Sequence, residues 1–164
     1  MQIREVEPAE YEPLGAITLQ AYTALDGHVH EPDYEAELAD VGTRATAAGA
    51  RVLVAVDDDR SLLGGVTYVG DHRSPLAEDV PVDGASIRML AVGLDAQRRG
   101  VGEALTRACI DRARAEGKGQ LVLHSTEWMT TAHRLYQRLG FVRDPTHDWE
   151  ALPGLTLLYF RLAL

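Results

Sequence analysis

Only one cysteine, Cys109, occurs among the 164 residues of the chain. A single thiol excludes a disulfide framework and any zinc site built from several cysteines. Cys109 falls inside a helical pattern, where a small buried hydrophobe is expected rather than a nucleophile. Long apolar runs are lacking too, none approaching the roughly 18 residues that a membrane span needs. The first residues, Met1-Gln2-Ile3-Arg4-Glu5, carry neither the basic nor the apolar block of a secretory signal. Basic charge is scarce: 16 Lys plus Arg face 25 Asp plus Glu, for a net charge of −9. That balance argues against nonspecific nucleic-acid binding, which needs a basic surface to displace counterions. These absences read as a cytoplasmic protein with no membrane or nucleic-acid partner.

What is present fits one domain, residues 1–164, with 46% hydrophobic residues and 25% charged ones. A chain of this size buries about 70% of its unfolded surface and needs no staples. Its charge is uneven. Residues 1–50 hold ten acidic residues against Arg4 and Arg44, a net of −8. Residues 97–114 hold Arg98, Arg99, Arg107, Arg112 and Arg114 against Glu103 and Asp111, a net of +3. Much of the acid reads as solvated helix face.

Ile3 and Val6 mark a short first strand. Tyr11, Leu14, Thr18, Ala21, Tyr22 and Leu25 then fall at intervals of three and four, one helix face ended by Asp26-Gly27. A second helix is predicted from Asp33 to Gly49, with Tyr34, Leu38, Val41, Ala45 and Ala48 on its stripe. Arg51–Val56 and Ser61–Val69 read as a hairpin around Asp57-Asp58-Asp59-Arg60, and residues 70–84 as a loop. Ser86–Val92 is a strand, Val101 to Gly117 a helix, Gln120–His124 a strand and Met129–Leu139 a helix. Strands at Phe141–Arg143 and Leu155–Leu162 complete the order β-αα-βββ-α-β-α-ββ, with no linker and no repeat. That is one mixed α/β domain.

The chemistry concentrates where the strand ending at Val92 runs through a short polar loop into the helix opening at Val101. The first amides of a helix lack internal partners and carry the positive end of its dipole. Gly100 and Gly102 let those amides close on an anion without a Cβ in the way, and Arg98 and Arg99 add charge. A phosphate or pyrophosphate cradle is expected. A dinucleotide fingerprint fails because Leu105 stands where a third glycine belongs. A P-loop fails because Gly102 is followed by Glu103-Ala104.

Gln97-x-x-Gly100-x-Gly102, following the strand from Arg88 to Val92, resembles the acetyl-CoA-binding motif of the GNAT superfamily of N-acetyltransferases. The run from Ala132 through Tyr136 to Leu139-Gly140-Phe141 resembles that superfamily's last helix and following strand. The element order agrees, so the resemblance covers nearly the whole chain. It implies a mixed, largely antiparallel sheet with a splayed central pair of strands, flanked by helices. It implies acetyl-CoA as co-substrate, its pantetheine arm bonded to main chain at Leu90, Ala91 and Val92. The pyrophosphate would be held by the amides of Arg98, Arg99, Gly100, Val101, Gly102 and Glu103, with Gln97 beside them. Tyr136 matches the tyrosine that protonates the departing CoA thiolate. The reaction implied is direct attack by a neutral amine, with no acyl-enzyme. Apart from the family, a tyrosine hydroxyl with a pKa near 10 is able to protonate a thiolate. Tyr136 nonetheless shares a stripe with Leu135 and Leu139, the pattern of a core residue.

Two departures matter. Ser86 stands where many relatives carry a glutamate base, and serine cannot take a proton from an ammonium at neutral pH. His28, His30, Glu31, Glu78, Asp83 and His124 are the alternatives, unless water serves or the acceptor needs no base. Met129 stands where relatives often carry an asparagine that bonds the cofactor arm, leaving Ser125, Thr126 or no residue at all for that contact. His28-Val29-His30 places two imidazoles close together, but no third ligand is obvious, so no metal is expected. Asp57-Asp58-Asp59 lacks the glycine and the glutamate of a calcium loop.

In the superfamily the acceptor site is built from the first two helices, the loop before the fourth strand and the C-terminal strands. The acid-rich first third therefore implies a cationic acceptor: a small amine or a peptide amine. Two rivals remain, a catalytically idle acyl-CoA-binding domain and a transferase of longer acyl groups. Homodimers are common in the family, and the sequence fixes no oligomeric state.

Overall fold

The computed structural model describes residues 1–164 and builds eight strands and five α-helices around one sheet. The strands are β1 (Gln2–Glu5), β2 (Ala50–Val56), β3 (Leu62–Val69), β4 (Gly84–Val92), β5 (Gln120–Thr126), β6 (Val142–Arg143), β7 (Trp149–Leu152) and β8 (Leu155–Ala163). The helices are α1 (Tyr11–Thr23), α2 (Pro32–Ala39), α3 (Val41–Thr46), α4 (Val101–Ala115) and α5 (Thr130–Arg138). The sheet order is β1-β2-β3-β4-β5-β8-β6, with β7 also on β8. Every pairing is antiparallel except β4 with β5. The mixed, largely antiparallel sheet expected from the sequence is therefore present.

Strand periodicity divides the interior. Along β2, Val52, Val54 and Val56 pack with Leu14 of α1 and Val41 of α3. Leu53 and Ala55, on the other face, join the larger core under α4 and α5. That is why β2 reads as an unbroken apolar run: both faces are covered. Cys109 is fully buried in the larger core, and desolvation pushes its thiol up to about 12, so it packs as the expected hydrophobe.

Two local expectations are corrected. The single helix predicted from Asp33 to Gly49 is two, α2 and α3, broken at Asp40, whose ψ of 76° leaves the helical region. The Asp40 carboxylate caps α3, accepting from the Thr43 amide (2.9 Å) and hydroxyl (2.6 Å). The buried Arg44 guanidinium turns back to donate to the carbonyls of Glu37, Leu38 and Asp40 at the end of α2. Second, a strand lies between Arg143 and Leu155, where none was expected: Trp149–Leu152 folds back on β8 around Pro153-Gly154, with Gly154 at φ +79°. Gly15 sets the distance between α1 and α2, since a Cβ there would collide with the Ala39 carbonyl.

Candidate active site

The parallel ladder between β4 and β5 is short. It runs from Gly84 opposite Gln120 to Ile87 opposite Leu123 and stops. Beyond it β4 keeps only β3, and β5 keeps only β8, so the facing edges of Arg88–Val92 and His124–Thr126 pair with nothing. A bulge produces the parting. Met89 and Leu90 together oppose Val66, and Met89 takes a φ of +51°. A bulge bends its strand and adds local twist. Leu90, Ala91 and Val92 thus lie on a strand edge whose polar groups are left for another partner.

At the end of that edge stands the entrance of α4. Gly100 occupies its N-cap at φ +79°, and Arg98 is left-handed at φ +60°. The amides of Val101, Gly102 and Glu103 find no acceptor in the chain, whereas that of Ala104 already bonds the Gly100 carbonyl. A Cβ built on Gly100 meets nothing within 4 Å, so the entrance is open on that side. One on Gly102 would touch Leu135 and Val92 at 3.6 Å, which fixes the first turn between α5 and the end of β4. Unpartnered amides, the positive end of a 15-residue helix and an open flank fit a pyrophosphate. The arginines divide. Arg99 is held by Asp57 at 2.6 Å across the β2–β3 turn, while Arg98 makes no ion pair. Glu103 is held by Arg107 and Arg138 (2.8 and 3.3 Å) and offers its amide, not its charge.

At the other end the parted strands open into a cavity of about 370 Å³. Its walls come from α1 (Tyr22), the α1–α2 connection (His28, Glu31), α2 (Tyr34), β4 (Ser86, Met89), β5 (His124, Thr126) and the β7–β8 hairpin (Trp149, Leu157). More than half of the lining is hydrophobic. Its charges are Glu31, Asp33, Glu37 and Glu78 against Arg88. Arg88 is already engaged, with Glu78 at 2.8 Å, Glu37 at 3.3 Å and the Leu76 carbonyl at 3.0 Å. The wall is net negative. Tyr22 and Tyr34 meet edge to face at 6.5 Å, and burial pushes Tyr34 up to about 12 and Tyr22 well above the ordinary 10.

Tyr136 lies in the larger core, 5% exposed, against the rings of Phe141 and Phe160. Its hydroxyl makes no hydrogen bond within the chain, and desolvation raises its pKa. It does not line the cavity. Ser86 is buried with an unpartnered hydroxyl. The six alternative bases separate. His28 and His30 both bond Glu35, Glu78 is taken by Arg88, and Asp83 accepts from Gln120 away from the cavity. Glu31 is exposed on the wall. His124 lines the cavity with an unpartnered Nε2, and desolvation lowers its pKa below the ordinary 6.5. Of the two hydroxyls beside Met129, Ser125 is engaged by His133 at 3.0 Å, while Thr126 Oγ1 has no partner. Arg88, on β4, and Trp128, just after β5, also line the wall and were not singled out by the sequence.

A sheet that parts between two parallel strands above an amide-lined helix entrance is the architecture of GNAT-type transferases. The chain belongs to the Acetyltransferase (GNAT) family, whose sequence profile matches residues 11–141. It is similar to a GCN5-related N-acetyltransferase from Kribbella flavida, at 26% identity and a TM-score of 0.73 over 99% of this chain and 97% of that one. The fold is shared with a Salmonella typhimurium protein solved with its cofactor acetyl-CoA, at 24% identity and a TM-score of 0.71 over 99% and 93%. A mycothiol acetyltransferase from Thermobispora bispora is 39% identical over 80 residues, 47% of this chain and 27% of that protein. The curated relatives are longer: the matches span between about a quarter and a third of their length.

Proposed function

We propose that the chain transfers the acetyl group of acetyl-CoA to a primary amine, a small molecule or a peptide amine, through a ternary complex. The observation that carries this reading is the free edge of β4, which joins the amide cradle of α4 to the cavity. Acetyl-CoA, when bound, supplies a thioester whose acetyl carbon the amine attacks. The main chain of Leu90, Ala91 and Val92 offers strand-type hydrogen bonds to the pantetheine arm. The amides from Arg98 to Glu103 hold the pyrophosphate, with Gln97 at the rim.

The acceptor, bound as an ammonium, loses one proton to water, and the neutral nitrogen then forms the new C–N bond as the C–S bond breaks. His124, neutral because burial disfavours its charged form, takes the second proton that the nitrogen loses. Tyr136 gives a proton to the departing thiolate and regains one from solvent once CoA has left; burial keeps its hydroxyl protonated beforehand and makes it a weaker acid than a free tyrosine. The net negative wall and the rings of Tyr22, Tyr34 and Trp149 support a cationic acceptor with an apolar body.

The test is release of CoA thiol from acetyl-CoA with a panel of cationic, neutral and anionic amines. Turnover concentrated on cationic amines supports the reading. Preference for an anionic amine overturns the acceptor class. Tight acetyl-CoA binding without turnover on any amine overturns the transferase reading in favour of an idle acyl-CoA-binding domain.

A further inference from the structure

The chain segment between α1 and α2 carries a cluster that acetyl transfer does not use. His28 and His30 have no third partner in the local sequence, but the fold supplies one. The first turns of α2 bring Glu35 back against both rings. Glu35 Oε1 lies 3.1 Å from His28 Nε2 and 2.9 Å from His30 Nδ1, and one donor atom from each residue falls within 4.8 Å of the others. The imidazoles meet edge to face, with centroids 4.9 Å apart and planes at 87°, and each brings a nitrogen to the same Glu35 oxygen.

We propose that His28, His30 and Glu35 form a binding site for a divalent cation of borderline softness, zinc being the best fit. Two imidazoles and one carboxylate are a zinc-type donor set. Around an ion with bonds of roughly 2.0–2.1 Å, tetrahedral ligand atoms stand roughly 3.3 Å apart. The two nitrogen–oxygen separations need only a few tenths of an ångström of adjustment to reach that. Net charge favours the ion independently. Residues 24–40 hold Asp26, Glu31, Asp33, Glu35, Glu37 and Asp40 with no lysine or arginine among them, and the two histidines are the only side chains that pair with Glu35. A dication relieves that repulsion, and its fourth position opens to solvent beside His30, which is 78% exposed. His28, by contrast, is 8% exposed and lines the acceptor cavity. The ion therefore fastens the wall formed by residues 28–31 to the start of α2.

Zinc chloride titrated calorimetrically into the metal-free chain tests the site, with cobalt(II) as a spectroscopic probe of coordination. One zinc per chain is expected, with the ligand-field absorption of four-coordinate cobalt. His30→Ala and Glu35→Gln should each weaken binding by about tenfold or more, which is about 1.4 kcal/mol. His72→Ala, at an imidazole beside Asp71, should leave it unchanged. His30 is exposed, so its removal leaves the fold intact, and a thermal melt of each variant verifies that. Amide exchange over residues 24–31 should slow when zinc is added. No stoichiometric uptake by the wild type, or wild-type affinity in both ligand variants, overturns the site. Unchanged exchange with zinc bound overturns its role as a fastener.

Discussion

Ile87 and Leu123 are the last partners in the parallel ladder of β4 and β5, and the next residues on each strand, Arg88 and His124, both line one cavity. The free strand edge and the amide cradle where the chain enters α4 lie beyond that pair, and the acceptor cavity opens around it. The parting depends on backbone geometry at Met89, not on any charged group, so it belongs to the fold itself.

Tyr136→Phe removes a hydroxyl that bonds nothing in the chain and leaves the ring among Phe141 and Phe160. Stability should change by less than about 1 kcal/mol, because no intramolecular hydrogen bond is lost. The turnover number should fall by on the order of 100-fold, the lower end for a positioned acid. Steady-state kinetics with a thermal melt of the same sample checks both. An unchanged turnover number would return Tyr136 to a purely packing role.

His124 couples activity to pH. Burial lowers its pKa, so the neutral base persists below the ordinary histidine value, and the acid limb of kcat/KM should lie below 6.5. His124→Asn should flatten that limb and slow turnover. Stability carries the same sign. His124 and His133 both have lowered pKa values in the fold, so the unfolded chain binds more protons. Their contribution is complete above about 6.5 and is lost as pH falls from there through the folded values. Urea unfolding across that range measures it.

Arg88 ties three segments together: Glu37 of α2, Glu78 and the Leu76 carbonyl of the loop before β4, and β4 itself. Its side chain is only 16% exposed, while Glu37 and Glu78 are 44% and 45% exposed, so in Arg88→Ala water reaches both carboxylates and the lost contacts are only partly replaced. A loss of about 1.5 kcal/mol is expected, the low end for hydrogen bonds to a charged group because both carboxylates are partly solvated. The acceptor KM should rise more than kcat falls, because the cavity wall loosens while the cradle stays intact. Chemical denaturation and acceptor kinetics give the two readouts.

Ser86 sits on the cavity wall with a buried hydroxyl that finds no partner. Removing an unsatisfied polar group relieves a desolvation penalty, so Ser86→Ala should leave stability equal or raise it by about 1 kcal/mol. Turnover should persist, since serine is not the base. A large loss of kcat in this variant would mean that Ser86 contacts the acceptor.

The parts of the site that depend on backbone were legible in the sequence. Gly100 and Gly102 announced the helix entrance because no other residue leaves those amides open, and β2 through β4 were legible as apolar runs between turn residues. Asp40 was not legible as a break, because the apolar stripe of Leu38, Val41 and Ala45 continues through it. What ends α2 is Arg44, reaching its carbonyls from the following helix. Strand β7 escaped for a related reason: Trp149–Leu152 is short and half exposed, and only its pairing with β8 makes it a strand. The partner of His28 and His30 was hidden because Glu35 reaches them only after α2 has turned. The choice of His124 among six bases likewise needed the partners of His28, His30, Glu78 and Asp83 and the exposure of Glu31.

The most direct test of the central claim is calorimetric titration of acetyl-CoA into the wild type, Gly100→Glu and Gly100→Asn. Asparagine tolerates the left-handed backbone at φ +79° and adds no charge, so it isolates strain from repulsion. Glutamate places a carboxylate in the open flank, where the pyrophosphate would lie. The expected result is clear binding by the wild type, near-normal binding by Gly100→Asn, and at least a tenfold loss, about 1.4 kcal/mol, in Gly100→Glu. Equal binding by a folded Gly100→Glu, or none by the wild type, would contradict the assignment of the α4 entrance as the cofactor cradle.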